Sequence, residues 1–177
     1  MPEALDDEFA ILAAVPLRHL RSGLDICAEL GRVALAVTGR GDLDAARSGD
    51  AVYLYAYQVG DRPVPAATWR ATFVRAVDAE DGDHPQDALT PRSWREDRDA
   101  TPAATEPDAE PVDDVDDVDD DPEALVGAGP PEVFLEVADL RELDRREWLF
   151  TNELVRKQDR GARTFVPLAP VRVLLPV

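Results

Sequence analysis

Cysteine is almost missing from this chain. Cys27 is the single thiol among 177 residues, which excludes an intrachain disulfide and any zinc site built on several thiolates. Cys27 itself reads as a small buried apolar residue. Histidine is nearly as scarce: His19 and His84 lie far apart in sequence, so a His-based metal set or catalytic triad has little support and no cofactor is called for. Lys157 is the sole lysine beside eighteen arginines. Long apolar runs are absent too. The stretch from Phe9 to Leu17 falls well short of the ~20 residues that span a bilayer, and the first eight residues lack the positive n-region of a signal peptide. The expectation is a cytoplasmic protein with no membrane segment. No repeat with a period of about 20–50 residues is present, which excludes solenoids and propellers.

What the chain has in excess is acid, and the acid is segregated. Of a formal net charge of −18, Ala79 to Pro131 holds eighteen Asp or Glu against Arg92, Arg95 and Arg98, a net of −15. The other 124 residues carry 16 basic and 19 acidic side chains, a net of only −3. The reading is one near-neutral domain, residues 1–78 plus 132–177, interrupted by an acidic insert at 79–131. That insert is rich in Pro, Ala, Thr, Asp and Glu and contains the Asp113 to Asp121 run. It lacks the apolar surface to offset its ordering entropy and is expected to be mostly disordered. Leu89 to Trp94 is the exception, with an aliphatic residue, a proline and an aromatic suited to docking on the core. Asp outnumbers Glu by 24 to 13, a balance that points to a GC-rich genome and a halophilic cytoplasm, where dense carboxylates keep proteins soluble.

Outside the insert the pattern is mainly of strands. Glu8 to Val15 is short and apolar, and Pro16 to Arg21 reads as a helical turn or two stopped near Gly23. Arg32 to Thr38 is a β-type run. Gly49-Asp50 turns the chain into Ala51 to Val59, which pairs as a hairpin with Ala67 to Asp78. Glu132 to Val137 is a strand, and Asp139 with Glu142 resembles a capping box opening helical structure towards Lys157. Arg163 to Val166 and Val171 to Leu175 supply the last strands. Six or seven short strands with a few short helices make an α+β fold, expected as a small mixed β-barrel.

Several sharp motifs are excluded. Asp117, Asp119 and Asp121 imitate the first ligands of a calcium loop, but Pro122 replaces its glycine and Ala128 its last glutamate. Gly39 and Gly41 lack the rest of a dinucleotide fingerprint, and no phosphate-binding loop is present. Arg40-Gly41-Asp42 is a chance tripeptide.

The stretch Gly49-Asp50-Ala51-Val52-Tyr53-Leu54-Tyr55, followed by Thr68-Trp69-Arg70-Ala71-Thr72-Phe73-Val74, resembles the Gly-Asp-led hairpin of the PUA-like superfamily, its ASCH and EVE families in particular. The ending, with Arg163-Thr164-Phe165-Val166-Pro167-Leu168, is similar to the strands that close those barrels. The resemblance implies a PUA-like barrel and an RNA-binding or modified-base-binding module. The ASCH signature, roughly G-x-K-x-x-E-x-R, matches at Gly23 but has Asp25 where the lysine belongs, with Glu29 and Arg32 displaced. That departure removes the lysine on which an ASCH-type hydrolase depends.

Candidate binding residues follow from alternation and charge. Tyr53, Tyr55 and Tyr57 share one face of their strand, as either a packed layer or a stacking platform, and Trp69 at the start of the next strand is expected at a rim, either packed at the barrel end or stacking a base. Trp148 reads as a core anchor. Residues 141–163 hold six arginines and Lys157 against five carboxylates. Arg156, Lys157, Arg160 and Arg163 form a strip for phosphates, with Arg32 a further candidate. The leading expectation is a non-catalytic binder of RNA or modified DNA. The alternatives are an adaptor whose acidic insert engages a basic protein partner, and a nucleic-acid or nucleoside hydrolase centred on Glu29 and Arg32.

Overall fold

The computed structural model describes residues 9–58, 66–100, 130–150, 155–156 and 169–175, with backbone alone at 155–156 and 174. The first apolar run forms β1, Phe9–Pro16, whose side chains are buried on both faces. Pro16, with φ −55°, leads into α1, Leu17–Leu30. This helix continues past the expected stop at Gly23. A Cβ there would meet methyl carbons of Leu140 and Val33 at 3.4 Å, so the glycine lets α1 lie close on the sheet instead of ending it. The helix closes at Gly31, whose N–H bonds the Cys27 carbonyl at 2.9 Å.

The strands that follow are β2, Val33–Val37; β3, Ala51–Tyr57; β4, Ala66–Ala67; and β5, Trp69–Asp78. After α2, Arg92–Ala100, come β6, Val133–Glu142; β7, Leu149–Phe150; β8, Val155–Arg156; and β9, Val171–Leu174. The main sheet has the order β2-β6-β5-β3-β1-β9-β8, six strands extended at one edge by the two-residue β8. β1 and β3 are parallel, with Ala10 opposite Ala51 and Pro16 opposite Tyr57, and the other ladders are antiparallel. A parallel pair requires a crossover, which α1 and β2 provide. β4 and β7 form a separate two-stranded ladder.

The fold is thus α+β and the sheet mixed, as expected, but among the described residues it is not a closed barrel. β2 makes one ladder, to β6, and no ladder joins it to β8 or β1. The sheet curls enough to bring β2 near β1, and side chains fill the seam where a ladder would close it. Ile11, Val33, Leu35, Val52, Leu54, Trp69, Phe73 and Leu135 form one buried cluster with Leu20 of α1. Burying each large aliphatic chain there is worth about 1.5–3 kcal/mol.

Two further expectations are corrected. β6 runs straight through the supposed capping box, with Asp139 at φ 52° beside a register shift, because the ten-residue β5 offers a partner along its whole length. No helix follows among residues 143–150. The acidic insert, expected to be mostly disordered outside Leu89 to Trp94, is folded over a longer stretch. Residues 79–100 form a tight turn, a 3-10 turn at Asp87–Leu89, and α2. Leu89 and Trp94 pack on Ala34 and Phe134, as the docking of Leu89 to Trp94 required. Several of its charges are paired: Arg98 with Asp83 and Asp87 at 3.0 Å each, and Arg92 with Glu96 at 3.1 Å. Asp97 reaches His19 at 2.9 Å and Arg18 at 2.8 Å, while Ser93 and Ser22 hydroxyls meet at 2.8 Å. Mean hydropathy hid a segment whose two apolar anchors and mutual ion pairs suffice for docking. Residues 101–129, including the Asp113 to Asp121 run, lie outside the described residues.

Candidate nucleic-acid interface

The Gly49-Asp50 pair that precedes β3 has a structural task. The Asp50 carboxylate accepts the Arg47 N–H at 2.8 Å, and Gly49 N–H and Asp50 C=O bond the Phe73 backbone at 2.8 Å each. This sets the register of β3 on β5, and register decides which side chains leave the core. Val52, Leu54 and Ala56 face the main cluster, and Tyr53 lies on the opposite face of the sheet, half-buried against the second cluster of Ala10, Leu12, Ala67, Leu149 and Val173. Across the ladders, Arg70 of β5 stands opposite Tyr53, and Arg141 of β6 opposite Arg70. One transverse row therefore reads Tyr53, Arg70, Arg141.

The chemistry of that row is aromatic and cationic. The Arg70 guanidinium lies 5.7 Å from the Tyr53 ring centroid, a cation–π contact worth about 0.5–1 kcal/mol at an exposed site. Arg141 holds Glu147 in a fork, Nη1 to Oε2 at 3.1 Å and Nη2 to Oε1 at 3.0 Å. Bonds from Arg141 and from the Asp144 N–H keep the Glu147 carboxyl below its ordinary range. Arg145 lies 5.9 Å from the Trp148 ring, and Trp148 Nε1 donates to the Leu143 carbonyl at 3.2 Å. Trp148 is thus a half-buried flank of this region and not the core anchor expected.

The other predicted residues fall elsewhere. Trp69 is 1 % exposed and packs in the core cluster, since parity on β5 turns it inward beside Leu54. The rim position expected for Trp69 is therefore replaced by a core position, and in this conformation it offers no stacking face. Tyr55 is buried, its hydroxyl without a partner among the described residues, and burial raises its pKa. Tyr57 is half-buried, and burial pushes its phenol up to about 12. Of the Tyr53/Tyr55/Tyr57 face, Tyr53 is the member beside cations. Arg156 lies in β8 opposite Val173, its side chain outside the described residues, as are Lys157, Arg160 and Arg163 altogether. Glu29 is exposed on α1, and no contact among the described residues joins it to Arg32.

Arg32 instead joins a cluster that the sequence reading missed. Glu136 of β6 has a fully buried side chain, yet Arg75 grips it with Nε and Nη2 at 3.0 Å each. Arg32 Nε approaches at 3.6 Å and His84 Nε2 lies at 3.1 Å. His84 Nδ1 lies 2.9 Å from the Gln86 N and 3.0 Å from the Gln86 carbonyl oxygen, so the Gln86 backbone orients the ring whose Nε2 faces Glu136. Burial alone would raise the Glu136 pKa, but the Arg75 bonds and charge, the Arg32 charge and the His84 bond outweigh it and leave it lowered. The signal was present: a lone glutamate inside Val-Phe-Leu-Glu-Val must be paired if it is buried. Its partners at 32, 75 and 84 were not inferable from local pattern.

No known protein family, curated protein or solved structure matches the chain. No helix among the described residues is long and apolar enough to cross a membrane. No three His, Cys, Asp or Glu converge there as a metal set.

Proposed function

We propose that this protein is a non-catalytic nucleic-acid-binding module, taking RNA or a modified base. The observation that carries the reading is the Tyr53–Arg70–Arg141 row, an aromatic ring with Arg70 beside it and Arg141 beyond, across three strands. A ring can stack any base, and the Arg70 guanidinium beside it suits phosphate oxygens, while Arg141 is held by Glu147. Kinship with PUA-like modules belongs to the same proposal, supported by the Gly49-Asp50 lead into β3, its antiparallel partner β5 and the mixed sheet. The net charge of −18 opposes a polyanion at long range. At physiological salt that repulsion is screened beyond about 8 Å, so contact rests on local stacking and forks.

The test is fluorescence anisotropy with labelled short RNA, single-stranded DNA and duplex carrying a modified base, at low and high KCl. Tyr53→Ala, its fold checked by circular dichroism, is expected to weaken binding about 5- to 150-fold, the loss of one stacked base. Unchanged affinity in that variant, or no binding of any probe by the folded wild type, would sink the proposal.

A further inference from the structure

The Glu136 cluster holds more positive charge than its own neutrality needs. Glu136 contributes one negative charge and is wholly buried, while the side chains of Arg32 and Arg75 are 39 % and 54 % exposed. Both arginines approach the same oxygen, Oε2, through Nε, which places the two Nε atoms within about 7 Å of each other. His84 and Arg75 Nη2 occupy the other oxygen from the buried side. Arg75 Nη1 and both Nη atoms of Arg32 make no described contact with the carboxylate. The result is a net +1 site in which a buried carboxylate anchors two partly exposed arginine side chains.

We propose that Arg32 and Arg75, anchored on Glu136, form a clamp for a phosphoryl oxyanion. Glu136 is its positioning residue. It offsets the mutual repulsion of the two arginines and fixes the rotamer of Arg75, so less side-chain freedom is lost when the anion binds. Within the proposed function, on which this point rests, the anion is a backbone phosphate of the strand whose base meets Tyr53. Arg75 lies five positions from Arg70 on β5, a span of about 16 Å at ~3.3 Å per residue. A strand of about five stacked nucleotides at ~3.4 Å rise covers it.

The experiment measures RNA binding across a KCl series for the wild type, Arg32→Gln and Arg75→Gln. Pyrophosphate is titrated in parallel against the arginine Nε–Hε resonances of the wild type. Each variant should bind RNA about 3- to 10-fold more weakly, with the slope of log K against log salt shallower by about 0.7 for one lost phosphate on a single strand. Arg75→Gln removes both short bonds to Glu136; if it fails to fold, Arg32→Gln, which keeps them, decides the matter. RNA binding by Arg32→Gln with wild-type affinity and slope would overturn the clamp while the Tyr53 reading stands. A wild type that binds no oligonucleotide but shows saturable pyrophosphate shifts at Arg32 and Arg75 would support the clamp for free phosphates and remove the nucleic-acid reading. Absence of both responses would overturn both.

Discussion

Trp94→Ala probes whether residues 79–100 belong to the folded unit. Trp94 is 8 % exposed, meets the Phe134 ring edge-on at 5.4 Å and 72°, and lies under the Arg98 guanidinium at 5.4 Å. Truncating a buried tryptophan to alanine costs about 3–5 kcal/mol, of which the ring pair supplies about 0.5–1.5 and the guanidinium about 0.5–1. The ceiling is the whole docking energy of α2, since the helix can leave the sheet before more is lost. Leaving is itself opposed, because Phe134 and Glu136 beneath are 0 % exposed and would be hydrated or stripped of His84. The expected loss is therefore about 3 kcal/mol, a drop of about 10–15 °C in Tm for a domain of this size. Trp94→Phe should recover more than half of it. Thermal unfolding by circular dichroism gives the first number, and limited proteolysis reports whether cleavage within 80–100 accelerates. A loss below about 1 kcal/mol with unchanged protection of that segment would refute the docking described.

Gly41 has φ 50°, and a Cβ there would lie 2.0 Å from the Pro170 carbonyl oxygen, which accepts the Asp42 N–H at 2.9 Å. Gly41→Ala should therefore destabilise by about 2 kcal/mol or more through the left-handed backbone and the displaced turn, seen as a lower urea midpoint; an unchanged midpoint would contradict that turn. Stability should also fall with acid in two stages. Burial, only partly offset by Asp97, holds the His19 pKa below its ordinary 6.5, so the unfolded chain takes up the proton first and stability declines as pH drops below about 6.5. The Glu136 pKa is held below 4.5, so its share is intact above that value and disappears as pH falls through the folded-state value. His19→Gln should flatten the first stage in a series of melts from pH 7 to 4, and an unaltered first stage would rule out His19 as its source.

What was legible in the sequence is what has a short period. Alternation placed Tyr53 opposite in face to Val52 and Leu54, because side chains switch sides at every residue of a strand. Leu89 and Trp94 stood out as apolar anchors in an acidic stretch and do dock. What failed depended on distant partners. Gly23 looked like a helix stop because only Leu140 and Val33, brought from two strands, show that it is a contact. Trp69 looked like a rim residue because it follows a Pro-Val-Pro-Ala-Ala loop at the start of its strand, yet its register with Leu54 sends it inward. The Arg32–Arg75–Glu136–His84 cluster joins four separate segments, and single-sequence patterning carries no term for that. Barrel closure was inferred from a strand count, which does not say how the sheet's edges end.

The position of β6 carries a consequence for synthesis on the ribosome. It lies between β2 and β5 in the sheet, but its first residue is Val133, after both of them and after α2 in the chain. A nascent chain that has emerged through Ala100 holds β2 and β5 with their shared neighbour still unmade. At about 5–20 residues per second the wait for β6 to begin is about 2–7 s. During that interval two apolar strand edges and the inner face of α1 are open to other chains, and truncation anywhere before Val133 makes the vulnerability permanent. Expression trials that shorten this protein from its C-terminus should therefore lose solubility in steps, first when β9 leaves the β1 edge and most sharply when β6 is cut.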